Sequence, residues 1–301
     1  MTKIALLGDI HIRKTPPLNR IDDFEKTLEK KFIEVLETCK NEGVELILQP
    51  GDLFDSSRVP YSVLSKYLKL INQYEIKWAV VYGQHDQRFH SSEIENTPLN
   101  ILINTPNVTR LKRNRPLHFG NCSIWGASWN EKFPEPKNLN SDCNILVAHT
   151  MVVDREKLWS GQTDFMYARE LTKKYPFNIF VLGDNHTPFF HQSNNKIVIN
   201  CGSLTRQSID QNHIPMFYTF DDETFELKEH LISIDLVEEV FNYYKFEETK
   251  QRNEEIESFV EQLKGTYGGN LNFKENLQNA MKENNIDSNI RSIIEEALPN
   301  E

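Results

Sequence analysis

Ile4-Ala5-Leu6-Leu7-Gly8-Asp9-Ile10-His11 is the stretch that decides how the chain reads. A short apolar run, the length of one buried strand, ends at a glycine, and an aspartate and a histidine follow at once. The pattern then recurs. Leu46-Ile47-Leu48 leads to Gly51-Asp52 with Asp55 close behind, and Trp78-Ala79-Val80-Val81 leads to Gly83-Gln84-His85-Asp86. Ile145-Leu146-Val147-Ala148 ends on His149, and Phe180-Val181-Leu182 leads to Gly183-Asp184-Asn185-His186. Loops at the carboxyl ends of sheet strands converge on one crevice, so these segments are expected to deliver carboxylates and imidazoles to a single edge. The spacing Asp9-x-His11 predicts two extended residues pointing to the same side. Gly8, Gly51, Gly83 and Gly183 each precede a candidate ligand, where sharp turns and close backbone approach are needed. Any one of these motifs alone is an ordinary turn. Their conjunction, in order and each after a buried strand, points to a divalent-metal centre.

Between the strands the period changes. Phe24, Leu28, Phe32, Val35, Leu36 and Cys39 line one face of a helix predicted over Ile21–Asn41, with Gly43 as its stop signal, and a second helix is predicted over Tyr61–Tyr74. Leu117–Ser128 reads as a hairpin around Gly120-Asn121. Ile197–Asn200, Met216–Phe220 and Phe225–Ile234 read as strands of a second sheet, with a turn at Asp221-Asp222. The fold class is therefore α/β, a β-sandwich flanked by helices, with a small C-terminal α-rich extension. Residues 1–235 form the expected main domain, 236–265 a capping or linker segment, and 266–301 a helical tail. The tail follows the glycine-rich Gly265–Asn270 and carries Phe273, Leu277 and Met281, then Ile290, Ile293, Ile294 and Leu298.

The 301 residues include 39% hydrophobic and 26% charged, a soluble globular composition. No apolar run reaches the ~20 residues of a membrane span, and the N-terminal stretch lacks the pattern of a secretory signal, so a cytoplasmic location is expected. Cys39, Cys122, Cys143 and Cys201 form no C-x-x-C pair and read as reduced, packed thiols. A net charge of −10 argues against a protein that coats nucleic acid, though a metal centre concentrates carboxylates that bound cations offset.

Gly8-Asp9-Ile10-His11, Gly51-Asp52-Leu53-Phe54-Asp55, Gly83-Gln84-His85-Asp86, His149 and Gly183-Asp184-Asn185-His186 together resemble the signature of calcineurin-like metallophosphoesterases. Asn200-Cys201-Gly202-Ser203-Leu204-Thr205-Arg206 is similar to the segment after the last metal motif in the SbcD-type nuclease branch. The resemblance covers about residues 1 to 235. It implies a first metal held by Asp9, His11, Asp52 and His186, and a second held by Asp52, Gln84, His149 and Asp184. It further implies that His85 acts beside the scissile phosphate, as general acid or charge stabiliser, with Asp86 orienting it. Two positions depart from the family pattern: Gln84 stands where Asn is usual, and Asp184 where the first His of G-H-x-H is usual. Gln84 still offers an amide oxygen, on an arm one methylene longer, whereas Asp184 replaces a neutral nitrogen ligand with an anionic oxygen, so the second site becomes rich in oxygen, which favours Mn2+, with Mg2+ next, over Zn2+.

The same resemblance implies a DNA exo/endonuclease subunit that works with an SbcC-type coiled-coil ABC ATPase, gripped by the C-terminal tail, which reads equally well as a helical cap on its own domain. It also implies a homodimer formed through helices near the second and third motifs, for which Tyr61–Tyr74 is a candidate that reads equally as core-facing. Arg13, Lys14, Arg58, Arg88, Ser203 and Arg206 are the candidate DNA-contacting residues near the centre, and Arg110, Lys112, Arg113 and Arg115 a more distant basic cluster. His90, His118, His191, His213 and His230 lack ligand spacing. Two other readings stand beside this one: a phosphodiesterase or phosphatase acting on a non-DNA substrate, and a non-catalytic scaffold whose second metal site has decayed.

Overall fold

A computed structural model describes residues 2–87, 94–136, 139, 141–158, 161–193, 195–209, 211, 213–244, 246–248 and 251–252. Met1–Phe241 form one compact unit. A second, Asn242–Glu301, holds the expected tail, which lies outside the described residues.

The local signals explain the elements. Helix α1 runs Phe24–Glu42 rather than from Ile21, because the side chain of Asp23 caps it by accepting from the Lys26 N–H. It ends where Gly43 takes the left-handed conformation at φ 72°. Helix α2 is Tyr61–Tyr74, and its apolar stripe of Val63, Leu64, Tyr67 and Ile71 is buried against the chain's own core. Pro98–Ile103 forms α3, capped by Thr97, and Ala168–Lys174 forms α4.

Strands β1 (Lys3–Leu6), β2 (Val44–Gln49), β3 (Lys77–Val80) and β4 (Val108–Arg110) are parallel neighbours in a six-stranded sheet. The hairpin of β13 (Met216–Asp221) and β14 (Leu227–Leu231) completes it, with β13 antiparallel to β1. The second six-stranded sheet has the order β11-β12-β10-β7-β6-β5. Its strands are β5 (Leu117–Phe119), β6 (Cys122–Ala127), β7 (Cys143–His149), β10 (Ile179–Gly183), β11 (Phe189–Ser193) and β12 (Lys196–Asn200). A short pair, β8 (Val152–Val153) and β9 (Met166–Tyr167), stands apart.

The topology corrects the expectation that the strands from Ile197 to Ile234 build the second sheet together. Only β12 does; β13 and β14 return to pair with β1. Strand character is local, whereas the choice of sheet is made by partners more than two hundred residues away, such as Ile4 opposite Phe220.

The continuous apolar runs follow from burial on both faces. In β1, Ile4 and Leu6 face the interior between the sheets, while Ala5 points to the layer holding α1 and α2. In β7, Ile145 and Val147 meet that same interior, and Leu146 and Ala148 face α4. The result is two sheets face to face between helical layers. All four cysteines are buried and free. Among the described residues no helix is long and apolar enough to cross a membrane.

Candidate metal centre

The carboxyl ends of β1, β2, β3, β7 and β10 bring the expected residues to one place. Asp9 is fully buried and is clamped by the segment after β12: its N–H donates to the Gly202 carbonyl at 3.0 Å, and its carbonyl accepts from Leu204 at 2.8 Å. His149, at the end of β7, donates from Nδ1 to the Pro50 carbonyl at 2.8 Å, so its Nε2 faces the centre. The backbone gets there by an unexpected route. His11, Asp52 and Asp184 all take positive φ, at 53°, 49° and 88°. Asp9-x-His11 is therefore no extended pair; the turn lies in the candidate ligand itself. Left-handed backbone is uncommon away from glycine, and such strain is concentrated at functional sites. Gly183 supplies close approach instead: a Cβ there would lie 2.5 Å from Asp9 Oδ1 and 2.8 Å from His149 Nδ1.

Three trios bring their ligand atoms within 4.8 Å of one another: Asp9, His11 and His186; His11, Asp52 and His85; and Asp9, Asp52 and His149. His11 and His186 meet Nε2 to Nε2 at 3.0 Å, and His186 Nε2 lies 3.6 Å from Asp9 Oδ2. Asp52 sits in the middle. Its Oδ1 accepts from the His85 N–H at 2.8 Å, while Oδ2 lies 3.3 Å from His149 Nε2, 3.9 Å from His11 Nε2 and 4.0 Å from His85 Nε2. On the far side Asp184 Oδ1 is 4.0 Å from His149 Nε2 and accepts from Gln84 Nε2 at 3.1 Å. In this arrangement Gln84 turns its amide nitrogen, not its oxygen, toward Asp184.

The electrostatics show what such a cluster demands. Burial, reinforced by Asp52 and only partly offset by His149, pushes the Asp9 carboxyl well above its ordinary range. Burial also raises Asp184. Burial opposes charge on His149 too, yet Asp52, then Asp9 and Asp184, drive it up to about 10. Asp52 is held low by His149, His11 and His85 against its own burial. His186 is pushed down to about 3 by burial and by His11, which keeps it neutral. Asp9 Oδ1, Asp52 Oδ2 and His149 Nε2 are buried without a hydrogen-bond partner. Buried polar atoms are rarely left so, and a divalent cation would take the Asp9 and Asp52 oxygens and the His149 Nε2 in place of the protons that burial and charge pairing otherwise favour on Asp9 and His149. The residues fit a metal.

A surrounding ring fixes these groups. His85 is 39% exposed at its side chain, and its Nδ1 donates to the Asp55 carbonyl at 2.9 Å. The Asp55 carboxylate faces His11 Nδ1 at 3.3 Å and accepts from Arg13 Nη1 at 2.9 Å. Asp55 thus orients two histidines, His85 through its backbone and His11 through its side chain, a second layer of the kind that sets ring orientation. This corrects the expected role of Asp86. The Asp86 carboxylate does not hold His85; it accepts from the N–H groups of Phe54, Gly83 and Leu53 at 2.9, 3.0 and 3.3 Å and straps two ligand loops together. The G-D-x-x-D spacing made Asp55 visible in sequence, but nothing local assigned it either histidine.

The residues expected to meet DNA divide. Lys14 and Arg58 are exposed. Arg13 is engaged with Asp55 and with Gln207. Ser203 and Arg206 are corrected: Ser203 is buried, and Arg206 is buried with Nη2 donating to the Asp235 carbonyl at 2.6 Å, so neither faces outward. Arg88 and His90 lie outside the described residues. In the distant basic cluster Arg110 pairs with Glu131 and Arg113 donates to the Phe133 carbonyl, while Lys112 and Arg115 are exposed. His118, His191, His213 and His230 have partners away from the centre: Ser123, Asp154, the Ser203 carbonyl and Thr219.

A family model described as calcineurin-like phosphoesterase matches residues 2–188, which take in every strand-end motif of the centre. No curated protein matches the chain. Among solved structures, Vps29 of Entamoeba histolytica complexed with Zn2+ is similar at 13% identity and a TM-score of 0.37, over 76% of this chain and 92% of that one.

Proposed function

Because the chain belongs to the calcineurin-like phosphoesterase family, and is on that ground a metal-dependent phosphoesterase, we propose that it is a two-metal phosphodiesterase acting on DNA. The observation that carries the two-metal reading is the placing of Asp52. One carboxylate lies between the His11–His186–Asp9 group and the His149–Asp184 group, and its Oδ2 has no hydrogen-bond partner. Asp9, His11, Asp52 and His186 would hold one ion, and Asp52, Gln84, His149 and Asp184 the other. Gln84 would turn its amide by a half-turn to present oxygen. Paired ions in such a site polarise phosphoryl oxygens and supply a nucleophilic water at neutral pH.

The protein's own contribution is orientation and proton transfer. Asp55 fixes the His85 tautomer with Nδ1–H directed at its carbonyl, which leaves Nε2 toward the centre. When protonated there, His85 donates to the departing oxygen. DNA as substrate is supported by the similarity of Asn200–Arg206 to the SbcD-type segment, and by exposed Lys14 and Arg58 on the loops that follow the first two motifs. An SbcC-type ATPase partner rests on the sequence of the tail, and a homodimer on the same resemblance. Incubation of the full chain with linear DNA and Mn2+ is expected to give progressive degradation that chelation stops. Intact DNA alongside cleaved small phosphoesters would overturn the DNA reading, and no hydrolysis of either would favour a scaffold.

The departure at Asp184 supports Mn2+ as the metal and yields a separate expectation. Imidazole suits Zn2+ and Fe2+, whereas carboxylate suits Mn2+ and Mg2+. Asp184→His is expected to lower Mg2+-supported activity by roughly tenfold or more and to raise the share supported by Zn2+. Activity profiles of both proteins across Mg2+, Mn2+ and Zn2+ check this; identical profiles would remove Asp184 from the metal site.

A further inference from the structure

Three of the four clustered histidines turn Nδ1 toward an oxygen: His11 faces the Asp55 carboxylate at 3.3 Å, His85 the Asp55 carbonyl at 2.9 Å and His149 the Pro50 carbonyl at 2.8 Å. An oxygen in that place accepts the Nδ1 proton and leaves Nε2 with its lone pair, the usual setting behind a metal-binding imidazole. His186 breaks the pattern. Its Nδ1 lies 3.4 Å from the side-chain nitrogen of Gln211.

The sense of that contact is fixed from outside the pair. Gln211 Oε1 accepts from the Gln207 N–H at 2.6 Å, and a backbone N–H can only donate, so the nitrogen end of the amide is the end that meets His186. Both glutamines are anchored. The Gln211 N–H donates to the Ser208 carbonyl at 3.3 Å, and Gln207 Nε2 donates to the Thr205 carbonyl at 3.1 Å while its Oε1 accepts from Arg13 Nη2 at 2.9 Å. Arg13 in turn donates to Asp55. A ring of polar contacts therefore runs from His11 through Asp55, Arg13, Gln207 and Gln211 to His186, and it closes where the two Nε2 atoms meet at 3.0 Å. Because Gln211 Nε2 donates, His186 Nδ1 accepts. The one proton of the neutral His186 ring then sits on Nε2, the nitrogen 3.6 Å from Asp9 Oδ2.

We propose that Gln211 is a positioning residue that holds His186 in the Nε2–H form, so that its amide has to turn over before His186 can offer Nε2 to a cation. Turning presents Oε1 to a proton on Nδ1 but sets N–H against N–H at Gln207, and that hydrogen bond is lost. The ion shared by Asp9, His11, Asp52 and His186 is therefore held less tightly than those four ligands would allow. This inference rests on the metal-centre reading and deepens it. A carboxylate at position 211 would remove the conflict, since one oxygen could accept from Gln207 and the other from His186 Nδ1–H.

The test reads the tautomer directly, in the chelator-treated full chain, by two-bond proton–nitrogen correlation spectra of protein isotope-labelled in its histidines. The His186 signal is identified by its loss in His186→Gln. Wild type is expected to show the Nε2–H form and Gln211→Glu the Nδ1–H form. Calorimetric titration with Mn2+ should then show Gln211→Glu binding its tightest ion about tenfold more tightly than wild type, the scale on which partners behind a ligand act. An Nδ1–H form in wild type would overturn the role of Gln211 with no variant needed, and so would a tautomer or an affinity unchanged in Gln211→Glu. The two readings fail separately. A chain whose His186 carries Nε2–H but which binds no ion at millimolar Mn2+ sinks the metal reading, and one that binds two ions with His186 already in the Nδ1–H form sinks the role of Gln211 alone.

Discussion

His85→Ala is expected to slow cleavage of DNA by about 10²–10⁴-fold while leaving the metal content of the protein unchanged, as loss of a positioned proton donor does. The geometry separates these two effects. His85 is the most solvent-facing of the clustered histidines, at 39% side-chain exposure against 2% for His11, and its ring is held by the Asp55 carbonyl rather than by the buried carboxylates. Asp9, Asp52, His149 and His186 keep their own supports when it is removed. The leaving group offers a sharper check. A departing sugar alkoxide needs a proton, whereas nitrophenolate does not, so bis(p-nitrophenyl) phosphate should lose only about tenfold or less in kcat. A rival role follows from the same geometry, since His85 stands in one of the trios able to hold a cation. Under that role the variant would lose a metal equivalent, and both substrates would slow alike. Metal titration with single-turnover kinetics on the two substrates decides between them.

Asp52→Asn is expected to have the larger consequence, with turnover lost to the limit of detection and with it most of the thermal stabilisation that Mn2+ confers. The substitution keeps the size of the side chain and removes its charge. Oδ2 now lies among three imidazoles at 3.3, 3.9 and 4.0 Å, where an amide N–H would present a donor in place of an anionic acceptor. Because this carboxylate lies between both groups of candidate ligands, its loss would weaken both of the proposed ions together. Binding linkage gives the scale: metal at ~100 times its Kd stabilises the folded chain by about 2.7 kcal/mol, a contribution that disappears once Kd exceeds the metal concentration. Thermal unfolding with chelator and with millimolar Mn2+ reads it directly. Wild type should gain several degrees and Asp52→Asn almost none. An Mn2+ shift of wild-type size in the variant would show that Asp52 does not bridge the ions.

These expectations draw on two kinds of information. Whatever short-range physics governs was readable along the chain. The apolar run of β1, the Gly43 stop of α1 and the strand-end positions of Asp9, Asp52, His85, His149 and His186 all follow from periodicity and backbone preference over a few residues. Local preference therefore set the alternation of strands and helices and the residue types that arrive at the strand ends. The partners were set by long-range packing. It sent β13 and β14 back to β1, turned Asp86 onto three backbone N–H groups, gave Asp55 two histidines to orient and placed Arg206 inside. It also put the left-handed turns on His11, Asp52 and Asp184 rather than on the glycines before them, except at Gly51. The reason is range. A hydrogen bond such as that from the Asp184 N–H to Asp9 Oδ2 joins residues 175 positions apart. No local preference at either end encodes a pairing that exists only once two sheets have packed together.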